Sequence, residues 1–422
     1  MNRAAGIGLL IALGYSGWAC GETTKAPQHP NVLLIVVDTL RQDHLGAYGF
    51  DTYPATPALD AFAAEATLWD GLTCVSSWTM PSMATIWTGL EPSQHGVMRM
   101  VGPRSRLKET QTLAQQFLQA GYTTACVMGN FLLRKDRGVG FHRGFEHWDD
   151  SVTDGKDPHH GSTADLIAER AQAYIEEFAE GGKSWFLVLH FFDPHGSYED
   201  QADWNFTSSD YQGWVKGGLK NADYMRHQEF STTADLSQLG ALYAEEVAVV
   251  DRAFGRVVKH LRSTGQWNST SVVFTADHGE ELGEAGHIGH TKNLSPATIA
   301  LPLLIKDVLG AWEPGRKVTA LVPQSRLFST LLELGNIPLV PNRPAPLSWK
   351  EAKSEPCFVQ VDFEPIRPDP AKRIQKHGLF LPEGRWIKDL KRDQLLWLPV
   401  IEGAPSPIEP DSLLEKHAWW KP

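Results

Sequence analysis

Four short polar stretches of this 422-residue chain have residue types able to do chemistry: Asp38, Trp78 to Ser82, Asp193-Pro194-His195, and Asp277-His278. Thr79 carries a secondary alcohol, a poor nucleophile until its pKa falls. A nearby divalent cation would lower that pKa and neutralise an anionic substrate. Asp38, Asp277 and His278 are the residue types to hold such a cation. Carboxylate with imidazole suits Zn²⁺ or Mn²⁺, and carboxylates also serve Mg²⁺ or Ca²⁺. His287, His290 and Lys292 follow in a glycine-rich loop. Each residue also has a plainer reading, Thr79 as a helix cap and Asp38 as a loop Asp closing a turn. Only convergence in space would separate chemistry from capping.

The elements that must position these residues are legible around them. Pro81 suits a first helical turn, and Ser82 to Thr88 is mostly helix-compatible until Gly89 stops it, which puts Thr79 where a helix begins. Free N–H groups and the positive helix end converge there and favour an alkoxide or oxyanion. Val32 to Val37 is an unbroken apolar, largely β-branched run ending at Asp38. Trp185 to Phe192 runs into Asp193-Pro194-His195, and Ser271 to Thr275 into Ala276-Asp277-His278. Such runs predict strands covered on both faces of a parallel sheet, whose carboxyl ends receive ligands. Tyr122 to Met128 and Leu301 to Ile305 predict further strands. Thr110 to Ala120, Ala164 to Ala179, Leu236 to Ser263 and Leu327 to Leu334 have helical spacing. Asn130 to Trp148 reads as loop and Ser197 to Thr233 as an insertion. The alternation predicts an α/β fold with helices on both sides of a mainly parallel sheet. From about Pro338, proline becomes frequent between short apolar pieces, which predicts a small C-terminal antiparallel subdomain.

Composition narrows the partners. With 39 Lys and Arg against 50 Asp and Glu, the formal charge is −11, and no basic block occurs, so nucleic acid is excluded as a partner. Hydrophobic residues make up 42%, enough for a substantial core. Some of the 15 Trp residues, Trp204, Trp214, Trp267, Trp419 and Trp420 among them, are candidates to line a carbohydrate or lipid-headgroup site, with buried packing the plainer account. Arg3 followed by the apolar run Ala4 to Tyr15 reads as an export signal over residues 1–19, and residues 20–30 as a tether. Ala19-Cys20-Gly21 resembles a bacterial lipobox, which implies a lipid anchor on Cys20 at the cell envelope; plain secretion is the competing reading. Cys74, Cys126 and Cys357 remain, allowing at most one disulfide and demanding none.

Together, NVLLIVVDTLRQDHLGAYG, TPALDAFAAEA, TGLEPSQHGV, HFFDPHGSY, ALYAEEVAVVDRAFGRVVKHLRSTG and VVFTADHGEELGEAG resemble the recurring phrases of the sulfatase branch of the alkaline phosphatase superfamily, in its order. The resemblance spans Asn31 to about Pro338. It implies an alkaline phosphatase-like α/β/α sandwich over residues 31–338, with residues 339–422 as the C-terminal subdomain. It further implies that Asp38, Asp277 and His278 bind a divalent cation beside Thr79 at the nucleophile position. His195 would contact the substrate oxyanion or leaving group, and His290 or Lys292 would assist the leaving group. Asn130 lies where many members place a residue facing the substrate, and Thr39 and Asp193 are further candidate substrate contacts.

The chain also departs from that pattern. Sulfatases have Cys or Ser at the position of Thr79, oxidised to formylglycine, and an Arg at the position of Met83. Thr has a methyl group on Cβ, so the same oxidation would give a ketone, and no formylglycine is expected. Thr39 replaces the second Asp of an Asp-Asp pair, although its hydroxyl is a candidate ligand or water anchor. Threonine nucleophiles have precedent in two-metal relatives acting on phosphorus; here Asp193, His195, His287 and His290 are the candidates for a second site. The favoured expectation is a metal-dependent hydrolase of sulfate or phosphate esters, acting on a small-molecule or glycan ester. A transferase of phospho-headgroups to an envelope glycan or lipid shares its first half-reaction. A non-catalytic binding protein on the same scaffold is the third expectation.

Overall fold

The computed structural model describes residues 29–155, 164–284, 286–364, 369 and 372–400. The expected signal and most of the tether, Cys20 included, lie outside the described residues, as do Trp419 and Trp420. No described helix is long and apolar enough to cross a membrane.

In chain order the main elements are β1 (Asn31–Val37), α1 (Pro57–Ala63), β2 (Thr67–Trp69), α2 (Thr79–Thr88), α3 (Leu113–Gln119), β3 (Thr123–Met128), β4 (His147–Asp149), α4 (Ala164–Gly181), β5 (Trp185–Phe191), α5 (Thr233–Ser263), β6 (Thr270–Ala276), β7 (Leu303–Lys306), β8 (Lys317–Val318) and α6 (Leu327–Leu334). Among the described residues, eight strands form one sheet in the order β8-β2-β7-β6-β1-β5-β3-β4. Neighbours run parallel except β7, which is antiparallel to β2 and β6. Helices α1, α4 and α5 pack together, and so do α2, α3 and α6, giving the two helical layers of an α/β/α sandwich.

The β1 side chains explain the placement of the centre. Val32 to Val37 are fully buried, paired on one edge with β5 and on the other with β6. Each is worth roughly 1.5–3 kcal/mol of burial, so this strand has no alternative location. Its ladder continues past its last residue: the Asp38 N–H donates to the Phe191 carbonyl at 2.9 Å, and the Asp277 N–H to the Val37 carbonyl at 3.3 Å. Strand ends and their acids are thereby locked side by side. The expected loop at 130–148 contains two short 3-10 turns, Phe131–Leu133 and Lys135–Arg137, and at its end His147 opens the half-buried edge strand β4, which runs to Asp149. Three mostly polar residues carry no periodicity for a sequence reading to find.

The C-terminal sheet is β9 (Cys357–Phe363), β10 (Ile374–Leu381), β11 (Gly384–Asp389) and β12 (Gln394–Pro399), antiparallel throughout. The Gln360 N–H donates to the Val75 carbonyl at 2.8 Å, and Phe363 meets Trp78 edge-on at 5.7 Å, so this sheet docks on the segment leading into α2. Cys74, Cys126 and Cys357 are free, buried thiols. Trp267 is buried, and Trp204 and Trp214 pack against the core, Trp204 under the Arg252 guanidinium.

Candidate active site

Helix α2 begins at Thr79 with Trp78 as the extended residue before it, and ends at Gly89, whose φ of 66° is the left-handed cap that glycine adopts without strain. Ser82 ties the first turn down by donating its hydroxyl to the Ser76 carbonyl at 3.0 Å. Thr79 is almost fully buried, yet its residue borders a cleft of about 1060 Å³ together with Asn130, His195, His287, His290 and Lys292.

Thr79 Oγ1 lies 3.3 Å from His278 Nε2. His278 Nδ1 sits 2.9 Å from the Gly279 carbonyl, to which it can only donate, so Nε2 presents its lone pair. That nitrogen is 3.7 Å from Asp38 Oδ1 and 3.5 Å from Asp277 Oδ2. Asp277 Oδ1 accepts from the backbone N–H groups of His278 at 2.7 Å and Thr39 at 3.2 Å. Gly279 is required beside this turn, because a Cβ there would stand 1.9 Å from the Ala297 carbonyl oxygen.

The remaining atoms test whether a cation fits. Asp38 Oδ1 and Asp277 Oδ2 are buried without a hydrogen-bond partner, a costly state for carboxylates unless a charge faces them. Burial, and then the Asp277 charge, push Asp38 well above the ordinary carboxylate range, against the pull of Asn130. Burial also raises Asp277 to about 7, with the His278 and Thr39 N–H groups opposing it. Burial and the neighbouring His290 hold His278 well below its ordinary value. Two facing acids and a neutral imidazole with its lone pair inward are a donor set that fits a divalent cation.

The wall above this floor is a second unit. His290 Nδ1 is 2.8 Å from Glu280 Oε1, and Glu280 Oε2 accepts from the Tyr198 hydroxyl at 3.3 Å. Burial alone would lower His290, but the Glu280 charge and hydrogen bond raise it, which favours the protonated, proton-donating form. Its ring lies 5.2 Å from His195 and 4.6 Å from His278, centroid to centroid. Lys292 is half-buried on the same cleft, where burial lowers its pKa against the charge of Glu281.

Several expected contacts are placed differently. Asn130 donates to Asp38 Oδ2 at 2.5 Å and accepts from the Leu132 N–H at 2.8 Å, so it braces a carboxylate while bordering the cleft. Thr39 is buried away from the cleft lining, with φ at 54° and its Oγ1 unpartnered; its backbone N–H, not its hydroxyl, serves Asp277. Asp193, expected to face substrate, accepts from the Ala164 N–H at 2.9 Å at the head of α4. The second metal site considered for Asp193, His195, His287 and His290 is not assembled among the described residues: His287 pairs with Glu281 at 2.9 Å and His290 with Glu280. Met83, at the expected Arg position, is fully buried in the core. Glu280 and His190 were not singled out as site residues from the sequence.

With this geometry established, comparison with known proteins defines the class. The sulfatase family profile matches residues 30–337, and the chain belongs to that family, within the alkaline phosphatase superfamily of ester hydrolases. It is 26% identical over 358 residues to the multifunctional alkaline phosphatase superfamily protein PehA of Trinickia caryophylli, covering 66% of this chain and 68% of that one. The ulvan-active sulfatase of Formosa agariphila is 26% identical over 360 residues, covering 78% and 67%. Among solved structures, the phosphonate monoester hydrolase of Agrobacterium radiobacter superposes with a TM-score of 0.66 at 20% identity, covering 88% of this chain and 89% of that one.

Proposed function

We propose that this chain is a metal-dependent hydrolase of sulfate or phosphate esters with Thr79 as its nucleophile, acting at the cell envelope on a small-molecule or glycan ester. The observation that carries the reading is the approach of Thr79 Oγ1 to His278, directly beside the unpartnered oxygens of Asp38 and Asp277. Asp38, Asp277 and His278 would hold the cation, which when bound lowers the pKa of the neighbouring alcohol and draws charge from the ester oxygens.

Thr79 Oγ1, its proton released to the solvent in the cleft, attacks the sulfur or phosphorus atom in line. The N-terminal end of α2 faces the equatorial oxygens. The bond to the leaving alcohol breaks, and His290, held by Glu280, supplies the proton that this oxygen takes up; His195 and Lys292 flank the same space. Water then attacks the Thr79 ester, releasing sulfate or phosphate and restoring the hydroxyl. Formylglycine has no part, since the Thr79 Cβ cannot become an aldehyde. Met83 offers no guanidinium at its own position to brace a gem-diol, which fits a plain alcohol nucleophile. Lys372, Arg373, Lys376, Lys391 and Arg392, against the one acid Asp389, border the same cleft from the C-terminal subdomain and favour an anionic substrate. The basic, apolar and cysteine-ended N-terminus supports export and a lipid anchor on Cys20.

The test is turnover of aryl sulfate, phosphate monoester, phosphodiester and phosphonate monoester probes by protein reconstituted with Zn²⁺, Mn²⁺, Mg²⁺ or Ca²⁺. Quenched reactions would be digested and searched by mass spectrometry for a sulfated or phosphorylated Thr79 peptide. Metal-dependent turnover with that adduct is expected. Turnover that persists at full rate with the adduct absent and Thr79 replaced by Ala would overturn the reading.

A further inference from the structure

The sulfatase-like floor leaves one group without a task. His190 sits inside β5, fully buried, and both of its ring nitrogens lack a hydrogen-bond partner. A buried imidazole normally satisfies at least one nitrogen, because leaving polar atoms unpaired costs on the order of 1–3 kcal/mol each.

Register shows where this ring belongs. His190 is paired with Val36 on β1, and Val36 is paired with Thr275 on β6. Asp38 and Asp277 lie two residues further along those strands, hence on the same face of the sheet, since side chains alternate with period two. His190 therefore stands one layer beneath the two carboxylates, on their side. One of its ring nitrogens and one oxygen from each of Asp38 and Asp277 all lie within 4.8 Å of one another. The unpartnered atoms are two carboxylate oxygens, Asp38 Oδ1 and Asp277 Oδ2, and the ring nitrogens of His190, donor types that ligate a divalent cation.

We infer that His190 is a ligand of the cation held by Asp38, Asp277 and His278, supplying from below the donor that this chain lacks where Thr39 stands in place of a carboxylate. The inference rests on the reading of those three residues as a cation site. Its consequence is a choice of metal. Two carboxylates with two imidazoles form a set for a borderline ion, Zn²⁺ foremost, whereas Ca²⁺ and Mg²⁺ prefer oxygen-rich shells.

The decisive measurement needs no substrate. X-ray absorption at the zinc edge of the Zn²⁺-loaded full chain counts imidazoles through their multiple scattering. Two are expected in the unaltered protein, and one in His190→Gln. Titration against a competing chelator should show zinc affinity falling roughly 100-fold or more in that variant, with Ca²⁺ affinity changed less than about tenfold. His190→Asn is a second, smaller replacement, and circular dichroism reports whether either variant is folded. A single imidazole in the unaltered protein would overturn the inference whether or not the variants fold, and so would unchanged zinc affinity and imidazole count in a folded His190→Gln. An Asp38→Asn, Asp277→Asn variant that still bound zinc normally would overturn the cation site itself. Loss of zinc there, with His190→Gln unaffected, would remove only the inference about His190.

Discussion

Helix α2 carries two buried threonine–histidine pairs, one at each end. Thr79 lies 3.3 Å from His278, and Thr85, six residues on, lies 3.1 Å from His95. At the second pair every polar atom is occupied. Thr85 Oγ1 donates to the Leu90 carbonyl at 2.8 Å, and His95 Nδ1 accepts from the Val97 N–H at 3.1 Å, which leaves the Nε2 proton for Thr85. At the first pair the imidazole faces two carboxylates that hold unpartnered oxygens, and the threonine opens on the cleft. The same two residue types thus build a joint in one place and a reactive centre in the other. What separates them is uncompensated charge and access, not the pairing.

The sharpest way to break this contrast is to remove both alcohols in turn. Thr79→Ala should lower kcat by about 10⁴-fold or more while leaving metal content unchanged, as expected when a nucleophile is deleted from an intact site. Metal analysis alongside the kinetics checks both halves. A variant with normal metal and normal turnover would make Thr79 as structural as Thr85.

The next effect tests the wall of the cleft. Glu280→Gln keeps the shape but removes the charge that favours a protonated His290, so kcat should fall about 10²-fold for esters of poorly leaving alcohols. For nitrophenyl esters, which need little help from an acid, the loss should be under tenfold. An equal loss across leaving groups would assign Glu280 to the integrity of the site and not to proton donation.

The two pairs also differ in how much of them the sequence displays. Asp38 and Asp277-His278 are legible because each ends an apolar run whose composition already implies a buried strand. His190 is hidden inside such a run, and only the register that sets it opposite Val36 brings it under the acids. Glu280 follows the Asp-His pair directly, but its function depends on where the loop returns His290, a contact that spacing does not encode. Asp193 shows the converse: a polar residue at a strand end resembles a ligand, and that one of its oxygens accepts from the start of α4 is a contact its position in the sequence does not announce. The antiparallel character of residues 357–399 is visible in their short apolar pieces, but not the cations they bring to the cleft mouth.

A smaller effect, on stability, sharpens the structural side of the contrast. Burial lowers His95 to about 3 from its ordinary 6.5. Between those values the unfolded chain binds a proton that the folded chain refuses, so stability falls as pH falls, by up to about 1.4 kcal/mol per pH unit from this group, and above 6.5 the group contributes no slope. His95→Gln should be less stable than the unaltered protein near pH 7, and the gap in unfolding midpoint should narrow steadily from pH 6 to pH 4.5. A gap that stays constant with pH would mean that His95 takes up a proton as readily in the fold as in the unfolded chain, and that its pair is not the neutral joint described here.

The least expected effect belongs to Thr85→Val. This replacement keeps the branched shape and removes the hydroxyl, so the Leu90 carbonyl and one His95 nitrogen lose their partner at a cost of about 1–3 kcal/mol. Turnover per folded molecule should stay within about twofold, because neither the charge at the carboxylates nor the opening of the cleft changes. Thermal unfolding and active-site titration separate the two quantities. A folded Thr85→Val protein as inactive as Thr79→Ala would show that the far end of α2 governs the position of its first turn. The contrast would then be one of distance along a single rigid element, and the unpartnered oxygens of Asp38 and Asp277 would no longer be what sets the two ends apart.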